Sequence, residues 1–246
     1  TLTSLAGAGK TRFGAAADIT GGIAEGTVTV VGALGANITG GTVNAGSITG
    51  NVSAGTVTAA TLSGNVTGGA VTLTGLLTGN VTAGTVAAGS MTGDVGSSVT
   101  VSGLLTGAIT NGTNALGSLS STSVTGGTNT ITGAATVTTV NGGTTTVGGV
   151  ATLTTVSNGT LNLNGATSSI GTLTDGTVNL GTTALTVNAG TFVGLLAGTN
   201  GSLIKATAGT LTLSGANTFG GGTTVNAGTL TTGNIGSLGT GAVTVA

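Results

Sequence analysis

Gly7-Ala8-Gly9-Lys10-Thr11 has the order of residues that closes a phosphate-binding loop, where backbone N–H groups and a lysine cradle the anion. The full pattern needs a glycine five positions before Gly9, where Ser4 stands, and it needs a strand before it and a helix after it. Four of the seven charged residues, Lys10, Arg12, Asp18 and Glu25, fall in the first 25 positions. A solvated first coil or polar cap explains them, because stacked repeats need polar ends. Thr1 has nothing but its residue type to recommend it as the nucleophile of an N-terminal-threonine hydrolase. The chain has no His and no Cys, so the usual nucleophile–base pairs are missing. Polysaccharide cleavage needs clustered carboxylates, yet Asp94 and Asp175 lie far apart and Asp18 and Glu25 sit at one end. The calcium-binding Gly-Gly-x-Gly-x-Asp nonapeptide of solenoids does not occur. No catalytic, cofactor-binding or metal-binding residue is assigned, and the chain reads as non-enzymatic.

Charge excludes further classes. Three cations, Lys10, Arg12 and Lys205, against four acids leave a net charge of -1. Nucleic-acid binding rests on phosphate neutralisation, or on stacking aromatics for single strands. Neither is available with only Phe13, Phe192 and Phe219 as aromatics. No apolar run is long enough for a transmembrane helix, and the aromatic girdles of a membrane barrel are missing. No membrane insertion is expected of this segment. The chain also lacks an initiator Met and a signal-peptide pattern, so it reads as a mature or excised piece whose export signal lies elsewhere.

The elements that must position these residues are short and repeated. Of 246 residues 52 are Gly, none is Pro and only 3% are charged. The mean hydropathy of +0.56 and the abundant Val, Ile and Thr argue against disorder. Residues 26–111 divide into six units, 26–40, 41–54, 55–68, 69–83, 84–96 and 97–111. Each has three apolar anchors, such as Val43, Ile48 and Val52, then Val57, Leu62 and Val66, then Val71, Leu77 and Val81. Anchors about every five residues suit neither a helix nor a long strand. They suit a chain that runs briefly as a strand, turns a corner and repeats, three sides to a coil. The expected fold is therefore all-β, a parallel β-helix or β-solenoid with three-sided coils of 14–16 residues.

A second block has a longer period. Units 119–134, 135–150, 151–166 and 168–183 are each 16 residues, with Thr167 inserted. Gly-Thr pairs recur in register at Gly127, Gly143, Gly159 and Gly176. Two apolar columns run through Val124, Val140, Val156 and Leu173, and through Ile131, Val147, Leu163 and Leu180. Four segments are expected: a cap or first coils over 1–25, short coils over 26–111, 16-residue coils over 112–183, and a different repeat over 184–246. Coils about 4.8 Å apart would stack into a rod of roughly 70 Å.

The third repeat carries a family resemblance over residues 202–246. Leu203 and Lys205 precede Gly209-Thr210-Leu211-Thr212-Leu213-Ser214-Gly215. Ala216-Asn217-Thr218-Phe219 and Gly221-Gly222-Thr223-Thr224-Val225-Asn226-Ala227-Gly228-Thr229-Leu230 follow. The run resembles the passenger-associated repeat of bacterial autotransporters. Phe219 stands where that family usually has Tyr, and Gly220 where it usually has a small polar residue. The resemblance implies a right-handed parallel β-helix, exported across an outer membrane ahead of a C-terminal barrel that this chain does not contain.

One polar column runs through the first block. The residue before the third anchor is Asn37, Asn51, Asn65, Asn80, then Asp94, then Ala108. Stacked identical amides can hydrogen-bond along the stacking axis, and Asn and Asp also close corner turns. The column is expected to be a structural ladder rather than a row of ligands. Asn37, Asn51, Asn65, Asn80, Asn111, Asn158 and Asn200 each start an Asn-x-Ser/Thr triplet, a by-product of the repeat.

The function expected is an extracellular or cell-surface structural rod, a passenger stalk or adhesin shaft anchored through a region not present here. A self-assembling extracellular fibre is the alternative, since the terminal Gly-Thr-Gly-Ala-Val-Thr-Val-Ala carries no charge or Pro to block edge pairing. The expected partners are accordingly a second copy end to end, or further coils of a longer chain. Ice binding by rows of Thr is a minor alternative, weakened because Asn44, Ala70 and Ala87 interrupt the rows.

Overall fold

The computed structural model describes Leu5, residues 7–233 and residues 235–246. These fall into two compact units, Thr1–Gly117 and Ser118–Ala246. In each unit parallel strands stack, coil upon coil, as a β-solenoid. Among the described residues the one helical element is the 3-10 turn Ile235–Leu238.

In the first unit the pairing follows the repeat. Lys10 lies beside Thr27, Thr27 beside Thr42, Thr42 beside Thr56, Thr56 beside Ala70, and Thr85 beside Ser98. The three anchor columns point inward. Val28, Val43, Val57, Val71, Val86 and Val99 form one, and Leu34, Ile48, Leu62, Leu77, Met91 and Leu105 the second. Ile23, Ile38, Val52, Val66, Val81, Val95 and Ile109 form the third, each bridged to the next. All are buried. A single coil could bury little of this surface; only stacking does so, at about 25 cal/mol per Å² of apolar area.

The glycines have two distinct jobs. Gly41, Gly55, Gly69 and Gly84 open the repeat at φ between +70° and +90°, the left-handed region that a Cβ disfavours. Gly50, Gly64, Gly79, Gly93 and Gly107 have ordinary φ but no room. A Cβ on any of them would strike the backbone carbonyl of Ala36, Gly50, Gly64, Gly79 or Gly93 one coil earlier. At that corner glycine is required by the closeness of the coils, not by torsion.

In the second unit the coils lengthen. Ala135 pairs with Ala151, an offset of 16, and Thr152 with Ser169, an offset of 17 once Thr167 has entered. Ala184 then pairs with Ser202, an offset of 18, and Leu203 with Thr223, an offset of 20. These last coils exceed the expected 14–16 residues, and the wider circumference admits larger cores. Phe192 and Phe219 are fully buried here, Phe192 against Gly194 and Phe219 against Gly239, where a Cβ would crowd each ring. The columns through Val124 and Ile131 are buried throughout.

Candidate functional site

Gly7, Ala8 and Gly9 form a bend, but not one between a strand and a helix. Lys10 and Thr11 belong to the strand Lys10–Phe13, which pairs with the strand Thr27–Gly35, and no helix follows it. Thr1 and Ser4 lie outside the described residues. Asp18, Glu25, Asp94 and Asp175 are each exposed. Among the described residues no three His, Cys, Asp or Glu side chains converge.

What the coils do assemble is a set of polar columns at their corners. The backbone N–H of Asn51 donates to Oδ1 of Asn37 at 2.9 Å, and that of Asn65 to Oδ1 of Asn51 at 2.8 Å. Asn80 N–H donates to Asn65 Oδ1 at 2.9 Å, and Asp94 N–H to Asn80 Oδ1 at 2.8 Å. Ala108 N–H closes the run on Asp94 Oδ1 at 2.8 Å. The bonds therefore differ from a stack of amides bonded side chain to side chain: each side-chain oxygen accepts from the main chain of the next coil.

The physical cause lies in the peptide orientations. The N–H of the following anchor points forward to the next coil, as Val52 N–H does to Asn65 O at 2.9 Å. The next N–H points back, as Ser53 N–H does to Ile38 O at 2.8 Å. The corner N–H also points back, and there the side-chain oxygen of the preceding coil receives it. A carboxylate oxygen serves as well as an amide oxygen, which is why Asp94 fits among the asparagines. All five side chains are exposed. None of the described non-glycine residues has a positive φ, so the column does not depend on left-handed asparagine.

Side-chain amides do bond along the stack in the second unit. Asn162 Nδ2 donates to Thr146 Oγ1 at 3.0 Å, and Asn179 Nδ2 donates to Asn162 Oδ1 at 2.7 Å. The sequence reading misses this half-buried ladder, although the aligned column Thr146, Asn162 and Asn179 carries its signal.

Lys205 is the least expected placement. It lies in a core column, paired with Val187 on one side and Val225 on the other, and is fully buried. Its ammonium donates to the carbonyl of Thr207 and, at 3.3 Å, to that of Ala227. A buried charge needs such partners, and a corner of the wide coil supplies them. Asn217 does related work: it accepts from Leu196 N–H at 2.7 Å and donates to Ser237 O at 2.6 Å. Thr223, in the apolar column between Leu203 and Val243, keeps a buried Oγ1 with no partner.

These coils define the chain as a parallel β-solenoid whose C-terminal turns are pinned by buried polar side chains. Residues 203–231 match the passenger-associated-transport-repeat family, so this stretch is similar to the repeat of autotransporter passengers. The match contains Lys205, Asn217, Phe219 and Thr223, and it ends short of residue 246. No curated protein and no solved structure matches the chain.

Proposed function

We propose that the chain is a non-enzymatic, extracellular stretch of an autotransporter passenger, serving as a stalk or shaft that holds another part of the protein away from a bacterial surface. Anchoring in the outer membrane falls to a region outside this segment. The observation that carries the reading is the passenger repeat at 203–231 joined to core columns that continue from coil to coil. Stacking of that kind gives stiffness at little cost in sequence information. The outward positions are mostly Thr, Ser, Asn and Ala. Negative-stain imaging of the purified chain tests the proposal. Narrow particles of one length are expected, and compact round particles would overturn it.

A second reading, end-to-end assembly, is favoured by one feature. The strand Val243–Val245 pairs with the strand Thr223–Val225 on one side, and Val243 and Val245 are 49% and 75% exposed. We propose that this edge takes a further strand, from the next coil of a longer chain or from a second copy. Nothing opposes copy-to-copy pairing electrostatically at net charge -1. Analytical ultracentrifugation separates the two. Concentration-dependent association abolished by Val243→Lys with Val245→Lys supports a second copy, and a monomer at all concentrations removes it.

A further inference from the structure

The second unit contains a bond between adjacent residues, unlike the coil-to-coil bonds of the Asn column. The N–H of Gly159 donates to Oδ1 of Asn158, the side chain of the residue before it, at 2.8 Å. Asn158 is exposed, and Gly159 sits at φ +87°. The chain has five Asn-Gly pairs, beginning at Asn111, Asn141, Asn158, Asn164 and Asn200. Among the described residues the bond from the glycine N–H to its own asparagine is present at Asn158 alone of the five. One coil on, Asp175-Gly176 occupies the equivalent corner, since Thr160 pairs with Thr177. There Gly176 N–H donates to Asp175 Oδ1 at 2.7 Å, the same arrangement with a carboxylate in place of the amide.

We infer that Asn158-Gly159 is a site of spontaneous deamidation, set up by the fold. The Gly159 nitrogen is held beside the side-chain carbonyl group that it must attack, and bringing reacting groups together in advance removes much of the barrier. Gly159 has no register partner on either neighbouring coil, because the pairing passes from Asn158 to Thr160 on one side and begins at Thr160 on the other. Once solvent base removes the N–H proton, the nitrogen forms a bond to Cγ of Asn158. The Cγ–Nδ2 bond breaks, and the amide nitrogen leaves as ammonia after gaining a proton. The resulting five-membered imide is then opened by water. Attack of water at Cγ leaves an aspartate in place of Asn158 with the backbone unchanged; attack at the α-carbonyl carbon gives an isoaspartyl link with one extra backbone carbon.

The neighbouring coil shows that the first product fits. Asp175 already holds a carboxylate at this corner against a glycine N–H. The isoaspartyl link would lengthen the coil and disturb the pairing of Thr160, Leu161 and Asn162 with Thr177, Val178 and Asn179. The folded chain should therefore favour aspartate over isoaspartate. Conversion would bring like charges onto adjacent coils and raise the net negative charge of the corner.

The test is ageing of the intact chain at mildly alkaline pH in heavy-oxygen water, with peptide mapping by mass spectrometry. The expected result is acid formation at Asn158 several-fold faster than at the other four pairs, with uptake of heavy oxygen and mostly aspartate as product. The same chain kept in denaturant should lose that preference. Equal rates at the five pairs in the folded chain, or slower conversion of Asn158 folded than unfolded, would overturn the inference. The Asn158→Asp variant should keep the parent's β-sheet circular dichroism; failure to fold would refute the claim that the corner accommodates the product.

Discussion

The first unit and the C-terminal coils of the second build the same kind of core at different circumferences. In the first, Thr56 pairs with Ala70 at an offset of 14, and the inward columns hold Val, Ile, Leu and one Met. In the second, Leu203 pairs with Thr223 at an offset of 20, and the interior takes in Phe192, Phe219, Lys205 and Asn217. Val, Ile and Leu anchors fill the columns of the first unit and an exposed Asn column binds its corners, while the buried Asn114 accepts from Val99 N–H at 3.2 Å and donates to Asn111 O at 3.1 Å. Wide coils have volume to fill and main-chain groups at their corners, such as the Thr207 and Ala227 carbonyls, that a long side chain reaches from inside. Buried polar side chains answer that need. A wider circumference thus admits rings and a lysine to the interior, while buried Asn side chains occur at narrower turns too, at Asn114 and Asn129.

The largest effect that would break this comparison is expected at a narrow-coil anchor. Val57→Asp puts an unpaired charge into a dry column and should cost several kcal/mol, melting adjacent coils together. Thermal unfolding followed by circular dichroism measures it, and an unchanged midpoint would refute the anchor assignment. Next is Lys205. Lys205→Ala removes the ammonium that the Thr207 and Ala227 carbonyls share and leaves a void, for an expected loss of about 2–4 kcal/mol. Lys205→Met restores the volume but not the bonds, and should lose less. If both variants match the parent, the buried lysine contributes nothing to the wide coil.

Asn65→Ala should cost about 0.5–1.5 kcal/mol, because it removes the acceptor of the Asn80 N–H at an exposed corner. Asn65→Asp should be close to neutral, since Asp94 already plays that part. Exposed Asn200→Ala is the control, expected within about 0.5 kcal/mol of the parent. Equal losses at Asn65 and Asn200 would show that the column adds nothing to the fold. The smallest effect has the opposite sign. Thr223→Val replaces an unpartnered buried hydroxyl with a methyl in an apolar column, and should stabilise by up to about 1 kcal/mol in chemical denaturation.

Much of the fold was legible because the repeat is written into the spacing. Val43, Val57 and Val71 lie one above another at the offsets read from the glycines. The position of the Asn column could be read too, but its bonds could not. Their donors are backbone N–H groups, and no side-chain pattern reveals which way a corner peptide turns. Lys205 was hidden for another reason: charge argues for solvent, and only the widened coil offers carbonyls that reverse the argument. Asn129 and Thr145 were missed likewise, since they are polar yet occupy buried inward positions, where Asn129 Nδ2 donates to Thr145 Oγ1 at 3.3 Å.

The glycine column of the first unit has a consequence for how such a chain can change length. Gly50, Gly64 and Gly79 precede Asn51, Asn65 and Asn80, and each pair meets its neighbours in the same way. Loss of residues 55–68 would set Gly79 over Gly50, Asn80 over Asn51 and Val71 over Val43, restoring every corner contact. A loss of half that many residues would place side chains against carbonyls that tolerate only hydrogen. Whole turns can therefore be added to or removed from this segment with its corner contacts kept, each worth about 4.8 Å of reach.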